Sequence, residues 1–90
     1  MKALKPVFIN NFKLKNRVSV ASMCQYSAHN GNPSKWHYGH LQSLSQSGAG
    51  LLMLESTAVS KQGRITLRDL TIINKKNTDS LKNLISHILI

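Results

Sequence analysis

Acidic side chains are almost missing from this sequence: Glu55, Asp69 and Asp79 stand against twelve Lys and Arg, for a net charge of +9. No second carboxylate accompanies Glu55, which argues against paired acid–base catalysis there. The expectation is a structural ion pair with Arg64 or Arg68. Cysteine occurs once, so Cys24 cannot form an internal disulfide, a pattern that fits a reducing cytoplasm. No apolar run approaches the length of a membrane span, and residues 1–6 lack the apolar core and cleavage site of a secretory signal. Walker A loops, dinucleotide G-x-G-x-x-G motifs, repeats and low-complexity tracts are all absent.

The basic excess invites a nucleic-acid reading, because phosphate neutralisation dominates such binding. The pattern points elsewhere. The Lys and Arg residues are scattered, with Lys75-Lys76 the only adjacent pair, and do not interleave with aromatics. A solvated basic surface is the reading, with no nucleic-acid or membrane partner. A small basic module that contacts nucleic acid or an acidic partner is the alternative.

What is present reads as one small α/β unit. Residues 7–14 hold two short apolar stretches around Asn10-Asn11, a hairpin signal. The run over residues 18–23 reads as a strand. Residues 27–35 carry the turn chemistry of Asn30-Gly31 and Asn32-Pro33, and Ser34 is placed to cap a helix. Apolar positions at three- to four-residue spacing predict that helix over residues 36–47, with Gly48 as its stop. Residues 50–55 form a continuous apolar run closed by Glu55, as in a strand buried on both faces. Residues 56–73 read mostly as loop, with a turn at residues 61–64. Leu81, Leu84, Ile85, Ile88 and Leu89 then recur at helical spacing, with Thr78 or Asp79 as the cap. Strand, helix and strand without a hairpin turn between the strands demand a parallel crossover.

Cys24, Gln25 and Tyr26 fall just past the carboxyl end of the first strand, the edge where parallel α/β folds build ligand sites. A thiol, an amide and a phenol placed there can meet a bound ring. They can equally be packing residues, Cys24 a small hydrophobe and Tyr26 a buried aromatic. Cys24, His29, His37 and His40 match no compact zinc signature, and ordinary packing or loop-bonding histidines are the reading.

Several stretches together resemble a known family. Asn16-Arg17-Val18, Met23-Cys24-Gln25-Tyr26-Ser27-Ala28 and Gly31-Asn32-Pro33 are similar to the opening of the Old Yellow Enzyme family. So are residues 37–41, 50–59 and Gln62-Gly63-Arg64-Ile65, in unbroken order. The resemblance is strongest to bacterial thermophilic-like ene-reductases and NADPH dehydrogenases. It implies that residues 1–90 are the amino-terminal portion of an FMN-binding (β/α)8 TIM barrel. NAD(P)H would reduce the flavin, and the flavin an activated, enone-like alkene. Carried over residue by residue, Ala21, Ser22, Met23 and Cys24 would lie against the flavin. Cys24 would tune its redox behaviour, Ser56 would contact it, and Tyr26 would reach the substrate. The family commonly has proline where Ser22 stands, so a backbone N–H is regained and a fixed φ is lost. The resemblance also places the family's other flavin and substrate contacts beyond Ile90. The chain alone is therefore expected to be incomplete, inactive and marginally folded.

Overall fold

The computed structural model describes residues 1–88. A short 3₁₀ turn, Lys2–Leu4, leads into a hairpin of β1 (Val7–Ile9) and β2 (Phe12–Leu14), paired antiparallel from Val7↔Leu14 to Ile9↔Phe12. The turn forms where the Asn pair predicts it. Asn10 takes φ 53°, a left-handed conformation that asparagine tolerates better than most residues. The Arg17 N–H donates to the Ala3 carbonyl at 2.8 Å, which ties the segment after the hairpin back to the first turn.

The expected parallel crossover is present. Strand β3 (Ser19–Val20) pairs with β4 (Leu51–Leu52) in parallel, and helix α1 (Lys35–Ser45) lies between them in sequence. Both strands are shorter than the apolar runs that predicted them. The runs continue past the ladder: the Met53 N–H still reaches the Val20 carbonyl at 3.1 Å. Beyond that point the Ser22 hydroxyl, not a backbone amide, donates to the Leu54 carbonyl at 2.6 Å.

Helix α1 starts at the predicted cap. Ser34 is extended, at φ −105° and ψ 179°, and its N–H donates to His37 Nδ1 at 3.0 Å. An imidazole thus fills the reach-back role that Glu or Gln plays in a capping box. His37, Leu41 and Ser45 recur every four residues and form the buried face. The helix stops at Ser45 with Gln46 as its C-cap, two residues before the expected Ser47, and Gly48, at φ 94°, follows the closing turn.

Two expectations need correction. Residues 56–73 contain a second parallel pair, β5 (Thr57–Ala58) with β6 (Leu70–Thr71). Two-residue strands are too short to write a period into a sequence, although Leu70 and Thr71 are both buried. The stretch between them includes a 3₁₀ turn, Lys61–Gly63, where a turn was expected. The final helix α2 (Lys75–His87) begins before Thr78 and is capped by Asn74, whose side chain accepts from the Asn77 N–H at 2.8 Å. Lys75 and Lys76 add no apolar signal to that first turn. Thr78 instead turns its hydroxyl back to the Asn74 carbonyl at 3.1 Å. Leu84 is fully buried, and Leu89 lies outside the described residues.

The core is small. Leu14, Leu41, Leu70 and Leu84 are buried with Ala28, Ala49 and Ala58, alongside a nearly equal set of polar residues, among them His37, Glu55, Asp69 and Asn77. Among the described residues no helix is long and apolar enough to cross a membrane.

Candidate functional site at the carboxyl rim of the parallel strands

Strands β3 and β4 are held together at both ends by side chains. At their amino ends Asn16 makes three hydrogen bonds. Its Nδ2 donates to the Gly48 carbonyl at 2.7 Å, and its Oδ1 accepts from the Gly50 N–H at 2.8 Å and the Val18 N–H at 3.0 Å. The approach is close enough that a Cβ on Gly50 would stand 2.4 Å from the Asn16 carbonyl oxygen. At the carboxyl ends Ser22 bonds Leu54, as above. Parallel register then carries residues 21–26 and 53–56 to one edge, opposite the end where the Asn16 clamp sits.

The residues that the resemblance assigns to flavin and substrate all fall on the two segments that leave this rim. Ala21, Ser22, Met23 and Ser56 are exposed, Cys24 is half-buried with a free thiol, and Tyr26 is 45% exposed. An extended, exposed strand end with small residues and a thiol suits a flat ring laid against it.

Gln25 departs from expectation. Its amide faces its own turn and helix α1 instead of joining the thiol and phenol. Gln25 Nε2 donates to the Met23 carbonyl at 2.9 Å, and Gln25 Oε1 accepts from the Trp36 indole at 2.9 Å. The Gln25 carbonyl also accepts from the Ser27 hydroxyl at 2.9 Å. The next residue, Tyr26, has φ 52°. Left-handed backbone costs a side-chain-bearing residue about 1 to 2 kcal/mol, so its surroundings must hold it there.

Glu55 finds a partner that sequence reasoning did not name. It pairs with His37, Oε1 to Nε2 at 3.4 Å, not with Arg64 or Arg68, and both side chains are buried. Nδ1 already accepts the Ser34 N–H, so the ring proton sits on Nε2 and points to the carboxylate. Arg64 instead donates from Nε to the Lys61 carbonyl at 3.0 Å. The signal available was the Ser34-x-x-His37 spacing, a capping-box interval with an unusual acceptor. His40 stacks on Trp36 with ring centroids 5.5 Å apart. Among the described residues no three His, Cys, Asp or Glu side chains converge as a metal site.

Asp69 is the other buried acid. Burial raises its pKa, but the Thr66 hydroxyl and the Thr66 and Ile65 N–H groups, with Arg64 nearby, outweigh that and hold it below 3.8. Its oxygens accept from the Ile65 N–H at 2.7 Å, the Thr66 N–H at 3.2 Å and the Thr66 hydroxyl at 2.9 Å. This acid shapes the loop between β5 and β6. Beside it, a surface cavity of about 590 Å³ is bounded by Ser27, His29, Trp36 and Arg68.

A parallel β-α-β unit with a thiol and a phenol leaving its carboxyl rim defines an α/β protein with the edge where such folds bind ligands exposed. Comparison with known proteins agrees. The chain belongs to the NADH:flavin oxidoreductase / NADH oxidase family, which it matches over residues 2–89. It is 39% identical over 85 residues to an NADPH dehydrogenase of Bacillus cytotoxicus, covering 92% of this chain and 25% of that one. The fold is shared with morphinone reductase solved in complex with tetrahydroNAD, at TM-score 0.85 and 18% identity over 98% of this chain and 24% of the other. It is shared too with an old yellow enzyme homologue from Zymomonas mobilis, at TM-score 0.84 and 18% identity over 98% and 24%. The chain spans about a quarter of the length of these proteins.

Proposed function

We propose that this chain is the amino-terminal part of an FMN-dependent NAD(P)H oxidoreductase of the Old Yellow Enzyme type, acting in the cytoplasm on activated, enone-like alkenes. The observation that carries the reading is the parallel pairing of β3 and β4, closed by the bond from Ser22 to Leu54, which brings Cys24, Tyr26 and Ser56 to one edge.

When bound, FMN supplies the hydride chemistry between nicotinamide and alkene. The protein's part is placement. Ala21, Ser22 and Ser56 offer small exposed side chains, with an exposed Met23 beside them, against which the ring would rest. Cys24 would set a polarisable sulfur beside it. The Tyr26 phenol, half exposed on a fixed turn, orients the acceptor or passes it a proton. Serine at position 22, where proline is common in the family, keeps the flavin edge in place through its hydroxyl.

The phosphate site of such barrels lies on later loops. The chain by itself therefore binds FMN poorly and turns over nothing; a purified yellow chain with stoichiometric flavin would contradict this. The positive test exchanges the matching segment of the Bacillus cytotoxicus NADPH dehydrogenase for this chain. The chimera is expected to carry FMN and reduce an enone with NADPH. A folded but colourless chimera defeats the reading.

A further inference from the structure

We infer that Trp36, acting through the Gln25 side chain, positions Tyr26: the indole on helix α1 locks the rim turn that holds the phenol in its left-handed conformation. The inference deepens the reading above, on which the role of the phenol rests.

Three observations converge. Tyr26 is a large aromatic residue at φ 52°, a region it leaves unless its neighbours hold it. The residue before it is fixed at three points. Gln25 Nε2 closes a short ring onto the Met23 carbonyl, Gln25 Oε1 takes the Trp36 indole proton, and the Gln25 carbonyl takes the Ser27 hydroxyl proton. The turn is also anchored on its far side, where the Ala28 N–H donates to the Arg68 carbonyl at 2.9 Å.

Trp36 is itself well placed to serve as the fixed point. It stands in the first turn of α1, next to His37, whose ring is committed to both Ser34 and Glu55. Its indole stacks on His40 one helical turn along, with an interplanar angle of 13°. More than half of Trp36 is exposed, so core packing does not explain why an indole is used here. The indole N–H does: Phe supplies the same stacking surface without a donor. Gln25 is likewise matched to its place, since its amide donates to a carbonyl from one atom and accepts from the indole with another. Neither residue touches the proposed reacting groups, and both are positioning residues.

The test uses the full chain, isotopically labelled and free of flavin, with Trp36→Phe, Gln25→Met and the double variant. The Cα and Cβ carbon shifts of Tyr26 report its backbone conformation. Cys24, the only cysteine, reports the same turn through its rate of reaction with a disulfide reagent. In the native chain Tyr26 is expected to show left-handed shifts. Each single variant is expected to move them toward extended values and to speed Cys24 labelling roughly fivefold, the size of one lost neutral hydrogen bond. Far-ultraviolet circular dichroism and the thermal midpoint should stay within error of the native chain. The double variant should do no more than either single change, because both cut one path. Native shifts that are not left-handed, unchanged shifts and labelling in both single variants, or effects that add in the double variant would each overturn the inference. Because no arm uses flavin, a folded chimera that never binds FMN counts against the proposed function alone.

Discussion

At the scale of single residues, the polar groups in the interior carry more specificity than the few leucines. His37 is the clearest case, because one ring serves two elements: Nδ1 caps α1 and Nε2 donates to Glu55 just past the end of β4. Replacing it with leucine removes the cap and strands a buried carboxylate, for an expected loss of about 3 kcal/mol in urea denaturation. His37→Gln keeps an acceptor at the capping-box position, so it should cost clearly less. If the two variants lose the same amount, the cap contributes nothing. Asp69 gives a pH signature. Its folded-state pKa lies below the ordinary 3.8, so its contribution to stability is complete above that value and is lost as pH falls through the lowered one. Asp69→Asn should therefore flatten the acid limb of the stability profile below about pH 4 while shifting the neutral-pH plateau downward.

At the scale of elements, a polar knot joins a turn to a helix. Asn30 and Gly31, with φ 51° and 79°, form the centre of a tight turn in which His29 and Asn32 exchange backbone hydrogen bonds. The Gly31 carbonyl accepts from the Thr71 N–H, and the Thr71 hydroxyl donates to Asn77 Oδ1 at 2.7 Å. Asn77 Nδ2 reaches Asn32 Oδ1 at 2.7 Å and the Asn30 carbonyl at 3.2 Å. A Cβ on Gly31 would fall 1.9 Å from the Thr71 hydroxyl. Gly31→Ala should thus cost more in urea denaturation than Gly48→Ala, which has the same backbone handicap but open space around it. Equal losses would show that backbone strain alone decides both.

These elements also show where the sequence was legible. Asn10-Asn11, Asn30-Gly31, Ser34 and Gly48 announce themselves because each turn or cap demands a conformation or an acceptor that few residues supply. The β3–α1–β4 crossover follows from two apolar runs separated by a helical period. What escaped was non-local: the Asn16 clamp, the link from Gln25 to Trp36 and the His37–Glu55 pair join residues far apart in sequence. The β5–β6 pair was invisible for another reason, since two residues cannot display alternation. The Asn74 cap was hidden behind two lysines that a hydrophobic pattern passes over.

At the scale of the whole molecule, apolar surface is open on every side. Phe8 and Phe12 on the hairpin are about two-thirds exposed, and Val59 and Leu67 on the loops are about three-quarters exposed. Among the described residues each strand of the β3–β4 pair has one neighbour, so each keeps an edge free to pair. Relatives devote about three quarters of their length to what lies outside this match. The purified chain should accordingly enhance the fluorescence of a hydrophobic dye and associate as its concentration rises. Phe8→Lys with Phe12→Glu should reduce both signals in light-scattering and dye titrations. Unchanged signals would move the sticky surface from the hairpin to the strand edges.

The Asn16 clamp sets the origin from which distances along the two strands are measured. Each residue advances a strand by about 3.3 Å and turns its side chain to the opposite face. Inserting a single residue between Val18 and Cys24 would slide the thiol one step past Ser56 and aim it at the other side of the sheet, with the clamp itself intact.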